Sequence, residues 1–316
     1  MNGIPDAQVD PIVIEDVVRR HRGGRGIQGI SLSVRAGQCI GILGPNGSGK
    51  TTLTHLVAGI EQADTGRASV FGQPARPRPA YLRRRCGVSL DTPALWDGLS
   101  GRQNLWYFVR QYGVRGSDLS RRVGELLGEA DLAAQADDPV ATYSFGMRRK
   151  LSVIQALGHE PDLLILDEPS AGVDTTFLDW LVRHIRTRCE RGQATWIADN
   201  DADWLSRAAT DAILLRDGRI RAEGSIAELM TSVQARSRIE ILLEQDDWTE
   251  VPRIPGVTAF HCERNRIRAE LNGGPRRAAE LHTWIASRGG RIRRLEVRSL
   301  TLQDALVRQE GDHAAG

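Results

Sequence analysis

Eight residues constrain this chain more than any others: Gly44-Pro45-Asn46-Gly47-Ser48-Gly49-Lys50-Thr51 fits G-x-x-x-x-G-K-[ST]. The string has meaning only between a strand and a helix. Gln38-Cys39-Ile40-Gly41-Ile42-Leu43 supplies the first and Thr52-Leu53-Thr54-His55-Leu56-Val57 the second. Glycines here let the backbone curl until successive N–H groups converge, and the helix N-terminus behind them adds the positive end of its dipole. The result is a cradle for phosphate oxygens. Lys50 brings a charge to the β- and γ-phosphates, and Thr51 offers a hydroxyl to Mg²⁺. The candidate nucleotide-binding set is Gly44, Pro45, Asn46, Gly47, Ser48, Gly49, Lys50, Thr51 and Thr52.

Of the 42 basic residues only Lys50 and Lys150 are lysine. A lysine kept among so many arginines hints at a position that needs a compact ammonium. The 40 acidic residues leave a formal charge of +2, so no polycationic field exists and no nucleic-acid partner is expected. Four cysteines lie far apart without a C-x-x-C pair, which argues against zinc and disulfide frameworks and suits packed thiols in a reducing compartment. No uncharged apolar run approaches the roughly 18–20 residues that span a bilayer. Met1 to Asp6 lacks the basic and apolar parts of a signal peptide, so a cytoplasmic chain is expected unless a membrane partner recruits it.

With 316 residues, one sizeable domain plus a smaller one is the starting expectation. Strands are read at residues 12–18, 30–34, 163–166, 195–198 and 212–215, separated later by helical stretches, as in a parallel sheet covered by helices. Residues 99–158 read mainly helical, an insertion into the sheet domain. The pattern changes near 228–234. Beyond it come strands at 238–243, 257–261, 266–271 and 291–297, with helices at 276–287 and 302–308. With 14 basic and 12 acidic residues this segment is nearly neutral, so Arg291 to Arg294 reads as a solvated strand face. Gln73 to Pro79 reads as a short stiff loop.

A nucleotide hydrolase also needs a carboxylate for the metal and a group to orient water. Leu163-Leu164-Ile165-Leu166-Asp167-Glu168 ends a buried strand with both, and the carboxyl ends of parallel strands face the ligand crevice. Asp167 is assigned to the Mg²⁺ shell and Glu168 to the water.

Tyr143-Ser144-Phe145-Gly146-Met147 resembles the signature motif of ABC-type ATPases, and Ser170-Ala171-Gly172-Val173-Asp174 resembles their D-loop. The motif order matches that family over about 12–230. The resemblance implies an α/β P-loop NTPase with a mixed, largely parallel sheet, a helical subdomain inserted at about 92–158, and a small C-terminal α/β accessory domain at 231–316, after an N-terminal tail of residues 1–11. His21 stands where the family usually stacks an aromatic residue on adenine. The family works as a head-to-tail dimer sandwiching two ATP molecules, so Ser144, Gly146 and Met147 would serve the nucleotide held by a second nucleotide-binding subunit. The accessory domain resembles those of drug or polysaccharide exporter subunits, whose integral-membrane permease is a separate chain. The resemblance implies a cytoplasmic subunit, peripheral on the inner face of the cell membrane through that permease.

Phe145 departs from the family's usual glycine at a position that varies, and two other departures matter more. Asp91 stands where a glutamine normally contacts Mg²⁺ and water, and Asn200 where a histidine normally reaches the γ-phosphate. A carboxylate still serves a hard cation. Asn200 donates only a neutral hydrogen bond, about half as strong as a charge-assisted one. Losing a positioned catalytic group typically costs about 10²- to 10⁴-fold. The expectation is a transport ATPase with reduced turnover. The alternatives are a hydrolysis-deficient half-site of a heterodimer, an ATP-sensing regulator, and, less favoured, a soluble ABC ATPase of translation or DNA maintenance.

Five of the sixteen aromatic residues, Trp96, Trp106, Tyr107, Phe108 and Tyr112, fall within 91–115, which suits a docking surface as well as a subdomain core. Asp199-Asn200-Asp201-Ala202-Asp203 begins like a calcium loop but has Trp204 at position six and Thr210 at position twelve, so that reading is rejected. His55, His159, His184, His261 and His282 show no metal-ligand spacing and read as structural or surface residues.

Overall fold

The computed structural model describes residues 9–21, 26–76, 83–233, 236–245, 248, 254–272 and 274–314. Residues 1–8 of the expected N-terminal tail and residues 77–79 of the expected stiff loop lie outside them. The chain divides into two compact units, Met1–Ile226 and Ala227–Gly316.

The strands of the first unit are β1 (Ile12–Arg20), β2 (Gly26–Val34), β3 (Cys39–Leu43), β4 (Thr65–Val70), β5 (Gln73–Pro74), β6 (Cys86–Ser89), β7 (Leu163–Asp167), β8 (Ala194–Ala198), β9 (Asp211–Arg216) and β10 (Arg219–Ser225). They form two sheets. One, ordered β2-β1-β4-β5, is antiparallel throughout. In the other, ordered β10-β9-β3-β8-β7-β6, the run from β9 to β6 is parallel and β10 joins antiparallel at the edge. β3, β7 and β8 are buried along their whole length, which is why each reads as an unbroken apolar run. Both sheets share one core, in which Ile12, Ile27, Ile42, Leu53, Ile165 and Trp196 meet.

The second of these sheets is therefore mixed, and four strands of the two sheets correct the sequence reading. β4, β6 and β10 were not anticipated, and Gln73–Pro74, expected in a loop, pairs with Val70 and Ser69 as β5. Helices Gly101–Gln111, Gly116–Glu129 and Phe145–Leu157, with a 3₁₀ turn at Val140–Thr142, fill the segment between β6 and β7. Ser100 and Gln103 close a capping box at the first of them. Fully buried Asn104 pins the preceding turn by donating to the Trp96 and Ser100 carbonyls while its Oδ1 accepts from Trp96 N–H.

The second unit is an antiparallel sheet of β11 (Arg236–Leu243), β12 (Val257–Glu263), β13 (Arg266–Asn272) and β14 (Ile292–Ser299), ordered β12-β13-β11-β14. Alternation along β11 and β13 turns Ile239, Ile241, Ile267 and Leu271 inward, where Ala278, Leu281 and Ile285 of the Gly274–Ser287 helix cover them. Arg293 and Arg294 are exposed on edge strand β14, and Arg294 pairs with Glu296.

Candidate functional site

β3 delivers the chain into the Gly44–Gly49 loop, and the Lys50–Ala58 helix begins at once. Gly49 is its N-cap with φ 109°, a conformation that a side chain would strain, and a Cβ there would sit 2.8 Å from the Ile27 side chain. Ser48 N–H donates to the Pro45 carbonyl at 3.1 Å and Gly218 N–H to the Ser48 carbonyl at 3.0 Å, so a turn after β9 holds the loop's curl. Lys50 is 5% exposed, and its Nζ donates to the Gly44 carbonyl at 2.7 Å and to Pro45 at 3.4 Å. Burial pushes its pKa down while Glu168, Asp167 and Asp199 oppose that shift. Asn46, Gly47, Gly49, Lys50, Thr51 and Thr52 line a cavity of about 380 Å³ together with His21 and Glu168. His21 Nε2 lies 3.0 Å from the Thr52 hydroxyl.

β7 ends beside β8 in the parallel register, with Asp167 opposite Ala198, and Glu168, the next residue, lines this cavity. Asp167 is fully buried, and neither oxygen has a hydrogen bond of acceptable geometry. Burial raises its pKa to about 6; Asp91 and Glu168 add to the rise, while the nearby Thr51 hydroxyl and His55 work against it. Glu168 sits at φ 49°, left-handed for a non-glycine residue, and its N–H donates to the Ala198 carbonyl at 2.7 Å. Asn200, just past β8, donates through Nδ2 to Asn46 Oδ1 and to Glu168 Oε1, both at 3.2 Å. One amide thus ties the phosphate loop to the candidate water-orienting carboxylate.

Asp91 is exposed, and its Oδ1 accepts from Thr92 N–H at 2.7 Å. Its backbone is fixed from behind by Arg149, whose buried guanidinium donates to the carbonyls of Leu90, Asp91 and Asp167. Burial lowers the Arg149 pKa against the pull of Asp91, Glu168, Asp167 and Asp199. Asp199, 2% exposed, is a second hub: it accepts from Ser170 N–H and Oγ–H and from the N–H groups of Asn200 and Asp201. Sequence reading missed both roles, because an arginine in an arginine-rich helix and an aspartate in an acidic run carry no local signal. It also missed His55, read as having no metal-ligand spacing. His55, Asp91 and Asp167 bring one ligand atom each within 4.8 Å of one another. The signal was helical: His55 lies one turn after Thr51 on the same face.

Ser144, Gly146 and Met147 do not line this cavity. They form a separate helix start, where Ser144 is the exposed N-cap and its Oγ accepts from Met147 N–H at 3.2 Å. A Cβ on Gly146 would lie 2.2 Å from the Gly172 carbonyl, so the turn packs backbone against backbone on the segment that resembles a D-loop. Lys150, 7% exposed, pairs with Asp174 at 2.5 Å, and Asp174 in turn caps the Thr175–Glu190 helix by accepting from Phe177 N–H. The run at Asp199 to Asp203 contains a helix N-cap, with Asp201 accepting from Trp204 N–H ahead of the Ala202–Ala208 helix.

A family model described as ABC transporter matches residues 27–171. The chain is 34% identical over 233 residues, 74% of its length, to Nod factor export ATP-binding protein I of Burkholderia orbicola (strain AU 1054), covering 77% of that protein. It is 32% identical over 298 residues to the daunorubicin/doxorubicin resistance ATP-binding protein DrrA of Streptomyces peucetius, which spans 90% of this chain and 86% of that one. Among solved structures, an ATP-binding subunit of an ABC transporter superposes with a TM-score of 0.64 at 24% identity, over 70% of this chain and 92% of the other. A dimeric ATP-binding cassette bound to ADP and Pi gives 0.62 at 19% identity, over 68% and 98%.

Proposed function

This chain belongs to the ABC transporter family, and from that premise we propose that it binds and hydrolyses ATP to power a membrane exporter, through closure and reopening of a dimer of nucleotide-binding subunits. The observation that carries the reading is the convergence of the phosphate loop, Asp167, Glu168 and Asn200 at the carboxyl ends of three adjacent parallel strands. The residues fit Mg²⁺ with ATP. Asp167 has two buried oxygens without partners, Ser48 Oγ is likewise unpartnered, and Lys50 rests on loop carbonyls that a phosphate would replace. When bound, the metal supplies Lewis-acid stabilisation of charge on phosphate oxygens. Thr51, Asp91 and Asp167 hold it, Lys50 and the loop N–H groups hold phosphate, and His21 flanks the base.

Glu168 accepts a proton from water while Asn200 keeps its carboxylate oriented. Asn200 brings no positive charge to the γ-phosphate, so turnover is reduced relative to a site with a cation there. Ser144, Gly146 and Met147, which do not line their own chain's cavity, offer N–H and hydroxyl donors to the nucleotide of a second subunit. The exposed rings of Trp96, Trp106 and Tyr107 suit docking to an integral-membrane permease. Among the described residues no helix is long and apolar enough to cross a membrane, and a peripheral position on the inner face through the permease accords with that.

The test is ATP turnover by purified protein beside Glu168→Gln and Asn200→His. Measurable wild-type turnover, lost in Glu168→Gln and raised about 10-fold or more in Asn200→His, supports the reading. A wild type equal to the Glu168→Gln blank overturns the isolated chain as an ATPase. It favours the second reading, a hydrolysis-deficient half-site or ATP sensor, which the neutral bridge at Asn200 also motivates.

A further inference from the structure

The Lys50–Ala58 helix carries a histidine whose two ring nitrogens have different surroundings. His55 Nδ1 lies 3.2 Å from Glu61 Oε1, and Glu61 also accepts from Arg19 Nε at 3.1 Å. A carboxylate paired with an arginine is ionised and can only accept, so Nδ1 carries the hydrogen. The lone pair of the neutral ring is then on Nε2. That atom is buried and has no hydrogen-bond partner. His55 forms a cluster with Asp91 and Asp167, one ligand atom from each lying within 4.8 Å of the others; Nε2 is the ring nitrogen left to serve there, and Asp167 contributes two buried oxygens that also lack partners.

A carboxylate behind a histidine, with the free nitrogen facing further carboxylates, is the arrangement that fixes tautomer and aim in imidazole–metal sites. We propose that His55, Asp91 and Asp167 form a nucleotide-independent site for one divalent transition-metal ion of borderline softness, of the Zn²⁺ or Co²⁺ class, with Glu61 orienting the imidazole from behind. Three protein donors, one nitrogen and two oxygens, leave a fourth position for water. Imidazole selects this class over Mg²⁺, which prefers oxygen donors and retains its waters. Donor separations in such a site are shorter than 4.8 Å, since metal bonds run about 2.0–2.2 Å. Exposed Asp91 is the member free to move inward, while Asp167 is fixed in β7 and His55 on its helix.

The local charge favours a cation. Asp91, Asp167, Glu168 and Asp199 act on Lys50 and Arg149, the cations beside them, while Lys50 Nζ and the Arg149 terminal nitrogens donate to backbone carbonyls. The site does not depend on ATP turnover, but it uses two carboxylates assigned above to Mg²⁺. An ion seated there therefore competes with magnesium nucleotide.

The experiment titrates the full-length, nucleotide-free chain with ZnCl₂ by calorimetry and with CoCl₂ by visible absorption, for wild type, His55→Ala, His55→Gln and Glu61→Gln. The expected result is one saturable equivalent of Zn²⁺. His55→Ala and His55→Gln each weaken it by more than about 100-fold, and Glu61→Gln by about 10- to 100-fold. The Co²⁺ ligand-field bands disappear in both His55 variants, while Mg²⁺-dependent ATP binding by His55→Gln stays within about 3-fold of wild type. Absence of saturable Zn²⁺ binding overturns the proposal. Undiminished Zn²⁺ binding in both His55 variants does so too, because the ion would then sit on other residues such as the thiols. Loss of ATP binding in the wild type, with Zn²⁺ binding intact, would overturn the proposed function and leave this site standing.

Discussion

Glu168 holds its carboxylate toward the cavity from a backbone that a side chain makes costly, φ 49°, and β8 clamps it there through the Ala198 carbonyl. Glu168→Gly therefore raises stability by about 1 kcal/mol and abolishes turnover, whereas Glu168→Gln abolishes turnover with stability unchanged. Urea denaturation beside an ATPase assay separates the two. Buried histidines give the second prediction at this scale. Burial holds His159 and His184 at pKa values of about 4, below the ordinary 6.5; His159 stacks on Tyr112 and donates through Nε2 to the Cys86 carbonyl at 3.2 Å. A lowered histidine pKa means stability that is full above about pH 6.5 and lost as pH falls from there toward 4, at about 1–3 kcal/mol per residue. The denaturation midpoint should fall between pH 7 and pH 5, and His159→Phe, which keeps the ring stack, should flatten that fall. An unchanged pH slope in the variant would count against the assignment. Residues whose chemistry is written in spacing, such as Gly44 to Thr51 and Asp167-Glu168, were legible in the sequence. Those whose roles depend on where distant segments meet were not: Arg149 reaches three carbonyls on two other segments, and His55 needs Asp91 and Asp167 brought to it.

At the scale of elements, the helix starting at Phe145 does two jobs through its first turn, and substitutions can separate them. Ser144→Asp keeps an equally good N-cap, so stability stays within about 0.5 kcal/mol, yet it sets a negative charge where the proposed trans-phosphate would lie. Size-exclusion chromatography with ATP and a Glu168→Gln background should show the dimer lost. Gly146→Ala acts differently: its methyl meets the Gly172 carbonyl, and relief requires the two segments to part, at a cost of about 1–3 kcal/mol. Strands buried on both faces announced themselves as apolar runs. β4 and β10 did not, because Thr65–Val70 and Arg219–Ser225 carry several polar side chains and gain their place from pairing with β1 and β9. β6 is only four residues with a glycine inside, too short for any period to register. The strands of the second unit were legible because one face is apolar and the other charged.

For the whole molecule, two units with separate cores predict two unfolding transitions. Scanning calorimetry with MgATP at about 100 times its Kd should stabilise only the transition of the phosphate-loop unit, by about 2.7 kcal/mol. A uniform shift of both would refute independent cores. The arginine excess has a further consequence at this scale. Both lysines are nearly buried, one against the loop carbonyls and the other against Asp174. Across 316 residues there are only two ε-amines, and neither stands at the surface. Acylating reagents, amine cross-linkers and enzymes that build isopeptide bonds on lysine thus meet a coat made almost wholly of guanidinium. Reductive methylation with labelled formaldehyde would turn that scarcity into a probe: Lys50 lines the phosphate-loop cavity, so its labelling should answer to nucleotide.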